Sequence, residues 1–138
     1  MAYQLTFARR LHYNPGKEGI AVGVILKLDG RSEVVEAKID TGASCCIFAR
    51  VHGENLGLDI ESGLRQLFST ATGAFTAYGH EVTLTVMDDE FDTLIYFAED
   101  AGFSRNVLGR RGWLDRVRLG LVDYDGELYV SRYDAPDM

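Results

Sequence analysis

The stretch Ala37-Lys38-Ile39-Asp40-Thr41-Gly42-Ala43-Ser44-Cys45-Cys46-Ile47-Phe48 carries an apolar, strand-like run into an acidic residue and a glycine turn. The strand that reaches it, Glu33 to Ile39, reads as the return arm of a hairpin. Its outgoing arm is the β-branched run Ile20 to Leu28, and Asp29-Gly30 followed by Arg31-Ser32 is a hairpin-turn signal. Asp40 is therefore expected at the end of a strand, where Gly42 allows a tight backbone path that a residue with a Cβ resists. Ile47 and Phe48 then resume the core. Asp and Gly also favour ordinary turns, so the rest of the chain must decide between a plain strand end and a chemical site.

Before this centre, Tyr3-Gln4-Leu5-Thr6-Phe7 alternates large apolar with small or polar side chains, which predicts a terminal strand ended by the turn Asn14-Pro15-Gly16. Beyond it, Arg50 to Leu58 predicts a short helix with Val51 and Leu56 toward the core, weakened by Gly53 and capped by Gly57. Leu67 to Val86 reads as a long hairpin. Val82, Leu84 and Val86 alternate with Thr83 and Thr85, and Thr70 to Phe75 supplies small residues with Gly73 near the tip. Tyr78 and His80 are expected on its surface. Phe91 to Phe97 is a further strand, introduced by a turn at Asp88-Asp89-Glu90. Trp113, Leu114 and Val117 fall at helical spacing and predict an amphipathic helix starting near Arg110, with Trp113 in the core. The last strands, Val117 to Val122 and Leu128 to Tyr133, flank the hairpin signal Asp123-Tyr124-Asp125-Gly126. The sum is an all-β domain with one or two short helices.

A chain of 138 residues with 46% hydrophobic content suits one domain, residues 1–138, with a real core, and it holds no repeat, linker or low-complexity tract. The formal charge of −7 and the dispersed Lys17, Lys27 and Lys38 leave no cluster to track a phosphate backbone, so no nucleic-acid partner is expected. Arg9 and Arg10 follow a short mixed segment instead of preceding an apolar run, and no stretch approaches the length of a membrane span. No membrane partner and a cytoplasmic location are expected. Cys45 and Cys46 are adjacent and would need a strained geometry to bond to each other, so they read as two small buried thiols of a reducing compartment. His12, His52 and His80 are scattered, none at ligand spacing from a cysteine, and neither metal nor cofactor is expected.

In order along the chain stand Asp40-Thr41-Gly42-Ala43-Ser44, a hairpin with Gly73 near its tip, and Val107-Leu108-Gly109-Arg110. This order resembles that of the single-domain, retroviral-type aspartic proteases, the retropepsins, in a bacterial-type or cellular form. That family has an Asp-Thr-Gly loop, a glycine-containing flap hairpin, then two apolar residues and Gly-Arg leading into a helix. The similarity spans about residues 20–122. It implies a single-lobe, retropepsin-like acid protease barrel with Asp40 as the catalytic carboxylate. Thr41 would hydrogen-bond across a two-fold axis, Gly42 would admit the substrate main chain, and Ala43 and Ser44 would continue that contact. Thr72, Gly73, Ala74 and Phe75 would form the flap tip, while Gly109 and Arg110 would be structural. Many retroviral members carry Asp where Ser44 stands, and that Asp can pair with the arginine of the late motif. Arg110 thus lacks its usual carboxylate.

Peptide hydrolysis by this route needs two carboxylates around one water, one ionised to take a proton and one protonated to polarise the scissile carbonyl. The chain has one such motif, since Glu61-Ser62-Gly63 lacks the residue types and Asp29-Gly30 and Asp125-Gly126 read as turns. The implied enzyme is a homodimeric aspartic endopeptidase acting on an extended peptide or protein. The terminal segments, residues 1–19 and 123–138, are candidates for the dimer interface. Ser44 leaves open a non-catalytic or weakly catalytic peptide-binding module on the same fold, and Cys45-Cys46 leaves open a redox or metal-sensing domain.

Overall fold

The computed structural model describes residues 1–136 of the chain. After a short strand β1 (Arg9–His12), β2 (Ile20–Leu28) and β3 (Arg31–Ile39) form the expected hairpin. Asp29 and Gly30 close it at φ 48° and 81°, the backbone twist of the favoured two-residue hairpin loop. β4 (Ile47–Phe48) follows the glycine turn, and the one α-helix among the described residues, α1 (Arg50–Asn55), comes next. A second hairpin joins β5 (Leu64–Thr70) to β6 (Gly73–Val86), and β7 (Asp89–Ala98) returns along β6. The chain ends with β8 (Val107–Leu108), β9 (Val117–Val122) and β10 (Glu127–Arg132).

Seven strands pair in the order β2-β3-β8-β4-β7-β6-β5, and β2 also pairs with β6, so the sheet closes on itself as a barrel. The length of β6 makes the closure possible. One edge of it pairs with β7 over residues 77–86, while the other pairs with β5 over 73–79 and with β2 over 83–86. Alternate residues Val22, Val24 and Leu26 of β2 and Val82, Leu84 and Val86 of β6 point inward, where they meet Phe48, Phe97, Leu108 and Trp113. A smaller sheet, β1-β10-β9, adds Leu128 and Val130 to the same core. Arg9 to Asp89 at 3.1 Å and the Arg132 guanidinium 4.7 Å from the Phe91 ring centre bind it to the start of β7. Inward-outward alternation in β7 stops after Ile95. Tyr96 and Ala98 are buried as well, because a second cluster of Cys45, Ile47, Phe68, Ala77 and Val107 covers the other face there.

The expected strand at Tyr3–Phe7 is absent, and β1 lies at Arg9–His12 instead. The alternation of Tyr3 and Leu5 meets no surface in this chain and both are exposed, whereas Leu11 pairs opposite the buried Leu128. The helix expected from Arg110 is reduced to a single 3-10 turn at Leu114–Arg116. Gly112 at φ 109° lies outside right-handed helical space and stops it earlier, though Trp113 is fully buried as expected. The turn before β7 falls on Met87 and Asp88, both at positive φ, one residue earlier than the acidic run suggests. Tyr78 is buried, with its hydroxyl donating to Glu99 Oε2 at 2.7 Å, and half-buried His80 places Nε2 2.8 Å from the Ile60 carbonyl. Neither is a surface residue. The β10 strand ends at Arg132, and residues 137–138 of the predicted terminal interface segment lie outside the described residues.

The helix departs from expectation in an informative way. Leu56 is buried, but Val51 is half exposed, and the residue pressed on the barrel is Gly53. A Cβ at Gly53 would lie 2.6 Å from Ile60 Cδ1 and 2.9 Å from the Phe97 ring. The glycine that costs helix propensity therefore permits the close approach. Gly57, at φ 84°, gives its N–H to Glu54 O, and Leu58 gives its N–H to Gly53 O, the paired bonds of a glycine-capped helix end. Gly53→Ala is expected to destabilise the protein by about 1–3 kcal/mol through overpacking, outweighing the gain of about 1 kcal/mol in helix propensity. The check is a lower urea midpoint at unchanged slope.

Candidate active site

The polypeptide around Asp40 is held from below by the segment that follows β8. β3 and β8 run parallel, with the Lys38 N–H donating to Asn106 O at 2.9 Å and the Asp40 N–H donating to Leu108 O at 3.0 Å. After Asp40 the chain turns, closed by Ala43 N–H to Asp40 O at 3.1 Å, and crosses over the glycine of the late motif. Arg110 and Arg111 then donate their N–H groups to the Ala43 and Ser44 carbonyls, both at 2.9 Å. Gly109 is wholly buried beneath the crossing. A Cβ there would lie 2.1 Å from the Cys45 carbonyl oxygen and 2.8 Å from that of Ala43, both main-chain atoms that cannot step aside. The glycine is a requirement of packing, not of φ.

Within the turn, Asp40 Oδ1 accepts the Gly42 N–H at 2.9 Å. This bond orients the half-buried carboxylate, and among the described residues Oδ2 makes no hydrogen bond. Thr41, Gly42 and Ser44 are exposed and Ala43 is half-buried. Cys45 and Cys46 are both buried and unbonded. As neighbours on an extended chain they point to opposite sides, Cys45 into the smaller cluster and Cys46 into the larger core. Burial pushes the Cys46 thiol up to about 12, which leaves it without the thiolate that redox or metal chemistry uses. Among the described residues no group of three or more His, Cys, Asp or Glu side chains is placed to hold a metal ion.

Asp40, Gly42, Ala43 and Ser44 line a cleft of about 230 Å³ whose other walls are Ile47, Phe68, Phe75, Phe103 and Val107, with Ser69, Thr70 and Arg105 at the rim. The hairpin β5–β6 forms one side of it. Phe75 stacks on Phe68 at 5.4 Å and meets Phe103 at 4.8 Å, and Phe68 stands edge-on to Tyr96 at 5.2 Å. This aromatic chain joins the hairpin to the loop before β8 and is a typical apolar lining for a small set of polar groups. Phe75 thus reaches the cleft, whereas Thr72, Gly73 and Ala74 lie beyond it at the exposed hairpin end. Gly73 has φ 144°, and Thr70 Oγ1 donates to its carbonyl at 3.0 Å.

Arg110 is exposed and makes no side-chain hydrogen bond or ion pair among the described residues. It shares a hollow with Ser44, Arg111 and Asp115. No carboxylate among the described residues pairs with it. Support for the site comes from elsewhere. Asn106 Oδ1 accepts the Ala49 N–H at 2.9 Å and its Nδ2 donates to Glu36 O, tying the start of α1 to β3 and β8. Glu33 accepts from Asn55 and lies 3.0 Å from His52 Nδ1, and these two hydrogen bonds hold its carboxyl below the usual range. Phe68, Phe103, Arg105 and Asn106 carry no motif. For the last three the signal is positional, because the residues just before Val107-Leu108 pass beside the strand that ends at Asp40; Phe68, on β5, has none. Gly109→Ala is expected to cost about 3 kcal/mol or more, with the main chain of the loop displaced. Urea unfolding checks the stability, and amide exchange at Arg110 and Arg111 checks the loop.

Solved structures supply a fold-level likeness. The chain is similar to the EIAV protease complexed with the inhibitor HBY-793, with a TM-score of 0.56 and 18% sequence identity over 72% of this chain and 88% of that one. No protein-family model and no curated protein matches it. At that identity the likeness concerns architecture. The closed all-β barrel, with its glycine loop crossing over the late glycine, has the retropepsin-like fold.

Proposed function

We propose that two copies of this chain form an aspartic endopeptidase in which the Asp40 carboxyls meet around one water. The observation that carries this reading is the Asp40 carboxylate lining a cleft with an aromatic wall, with Oδ1 bound by Gly42 N–H and Oδ2 left for water. Two carboxyls brought this close share one proton and titrate as a unit. The ionised one takes a proton from the water as its oxygen attacks the scissile carbonyl carbon, and the protonated one gives its proton to the carbonyl oxygen. Collapse of the tetrahedral intermediate breaks the C–N bond, with a proton passing to the leaving amine. Activity falls once both carboxyls ionise, because no acid then remains.

The two-chain requirement follows from the single Asp-Thr-Gly motif. It is supported by large apolar side chains left exposed on the terminal segments and on β9, among them Tyr3, Leu5, Leu121, Val122, Tyr124 and Tyr133. Such groups are candidates for burial between copies. Thr41, exposed beside Asp40, is assigned the bond across the two-fold axis, and β5–β6 is assigned the role of a flap over a substrate bound as an added strand. A second reading, a peptide-binding module without turnover, is favoured by one feature, the missing carboxylate partner of Arg110.

Asp40→Asn is expected to lower kcat/KM on a mixed peptide library by about 10²–10⁴-fold or to background, with the thermal midpoint little changed. Cleavage at the wild-type rate would end the proposal, and peptide binding by the wild type without turnover would select the second reading. Specific activity is also expected to fall on dilution as the dimer dissociates. Turnover by a species that light scattering identifies as a monomer would contradict it.

A further inference from the structure

Arg105 is the one cation that lines the Asp40 cleft, and Asp40 is the one carboxylate, among the described residues. Every other chain-wall group between them is apolar or uncharged. The arginine is exposed and makes no hydrogen bond or ion pair with a described side chain. Glu36 and Lys38 line the hollow on its far side, and neither forms an ion pair with it. The backbone beneath it is firm, because Asn106 is bonded to Ala49, to Glu36 and, through its carbonyl, to Lys38. Phe103, two residues earlier, packs at a tilt on Phe75, with ring centres 4.8 Å apart. The guanidinium is therefore a free charge on a fixed anchor.

Ser44 belongs both to this cleft and to the adjoining hollow that holds Arg110 and Arg111. Those two arginines also make no side-chain hydrogen bond or ion pair among the described residues. Asp115 lines that hollow as well, so past Ser44 two cations face one carboxylate, an excess of positive charge on a chain whose formal charge is −7. Elsewhere Arg9, Arg50 and Arg132 are matched by Asp89, Glu61 and Asp134. A local excess of one sign against the net charge is a feature that selects and steers a ligand of the opposite sign.

We infer that the cleft selects peptides in which a bulky apolar side chain is flanked by an acidic one. The apolar group fills the space among Ile47, Phe68, Phe75 and Phe103, and the neighbouring carboxylate pairs with Arg105. This rests on the reading of the cleft as a peptide site. A peptide closing over a guanidinium removes it from water, which is costly unless a carboxylate satisfies its fork of N–H donors. A lysine or arginine in the peptide would meet like charge and be rejected.

The test uses fluorogenic peptides sharing a Phe-Leu centre, with Glu, Gln or Lys placed in turn at each flanking position. At one position at least, wild-type kcat/KM is expected to favour Glu over Gln by about three- to tenfold, and Gln over Lys. Arg105→Gln levels the Glu-to-Gln ratio, Arg105→Lys keeps part of it, and Arg105→Glu inverts the order in favour of Lys. The same peptides are titrated by fluorescence anisotropy against Asp40→Asn protein. Cleavage and binding that are indifferent to Glu, Gln and Lys, or an unchanged Glu preference in Arg105→Glu, would overturn the selectivity and leave the protease reading standing. A Glu preference in binding that Arg105→Glu reverses, with no cleavage by wild type, would uphold the selectivity and remove the protease reading. Neither binding nor cleavage of any peptide would overturn both.

Discussion

The Ala43 and Ser44 carbonyls accept the Arg110 and Arg111 N–H groups at 2.9 Å, across a contact so close that no side chain fits at Gly109. Most of what is distinctive in the structure depends on this crossing. It places a loop over a two-residue strand, so that β8 lies between β3 and β4 and bonds to both. The loop cannot then relax toward solvent without breaking main-chain bonds to Leu108, Arg110 and Arg111. A carboxylate mounted on it keeps one orientation, which is the condition for acid–base chemistry at a defined distance.

The same crossing explains the buried cysteines and the two clusters. A chain passing over Gly109 has one side toward the barrel core and one toward the cleft wall, and Cys45 and Cys46 occupy the two sides. Their conspicuous adjacency in sequence is a packing solution, and the raised Cys46 thiol is its electrostatic consequence. The smaller cluster then carries Phe68 and Phe75 of the hairpin, so the base of β5–β6 is tied to the site while its end at Ala71 to Ala74 stays exposed. The flap role proposed for β5–β6 draws on this firm base and exposed end.

Sequence reading succeeded where the relevant physics is local. Asp29-Gly30 announces a two-residue hairpin because its φ values are open to Asp and Gly, and Gly57 announces a helix cap for the same reason. It failed where a pattern needs a surface to act on. Tyr3 and Leu5 alternate correctly for a strand, yet neither meets a partner here, and Val51 has a helical spacing that faces outward. Tyr78 and His80 read as exterior residues because nothing in their neighbourhood foretells that Glu99 and the Ile60 carbonyl come to meet them.

By itself the sequence determined the strand-ending carboxylate, the small residues after it, the flanking hairpins, and the later Gly-Arg that fits beneath the loop. It also determined that one chain carries one such carboxylate. Tertiary structure alone decided that Gly109 lies under Cys45, that Phe75 and not Gly73 reaches the cleft, and that Arg105 lines the same cleft as Asp40. The physical reason is range. Turn and strand preferences act through φ, ψ and side-chain alternation over a few residues, whereas these contacts join segments brought together only when β6 spans from β5 to β2 and the barrel closes.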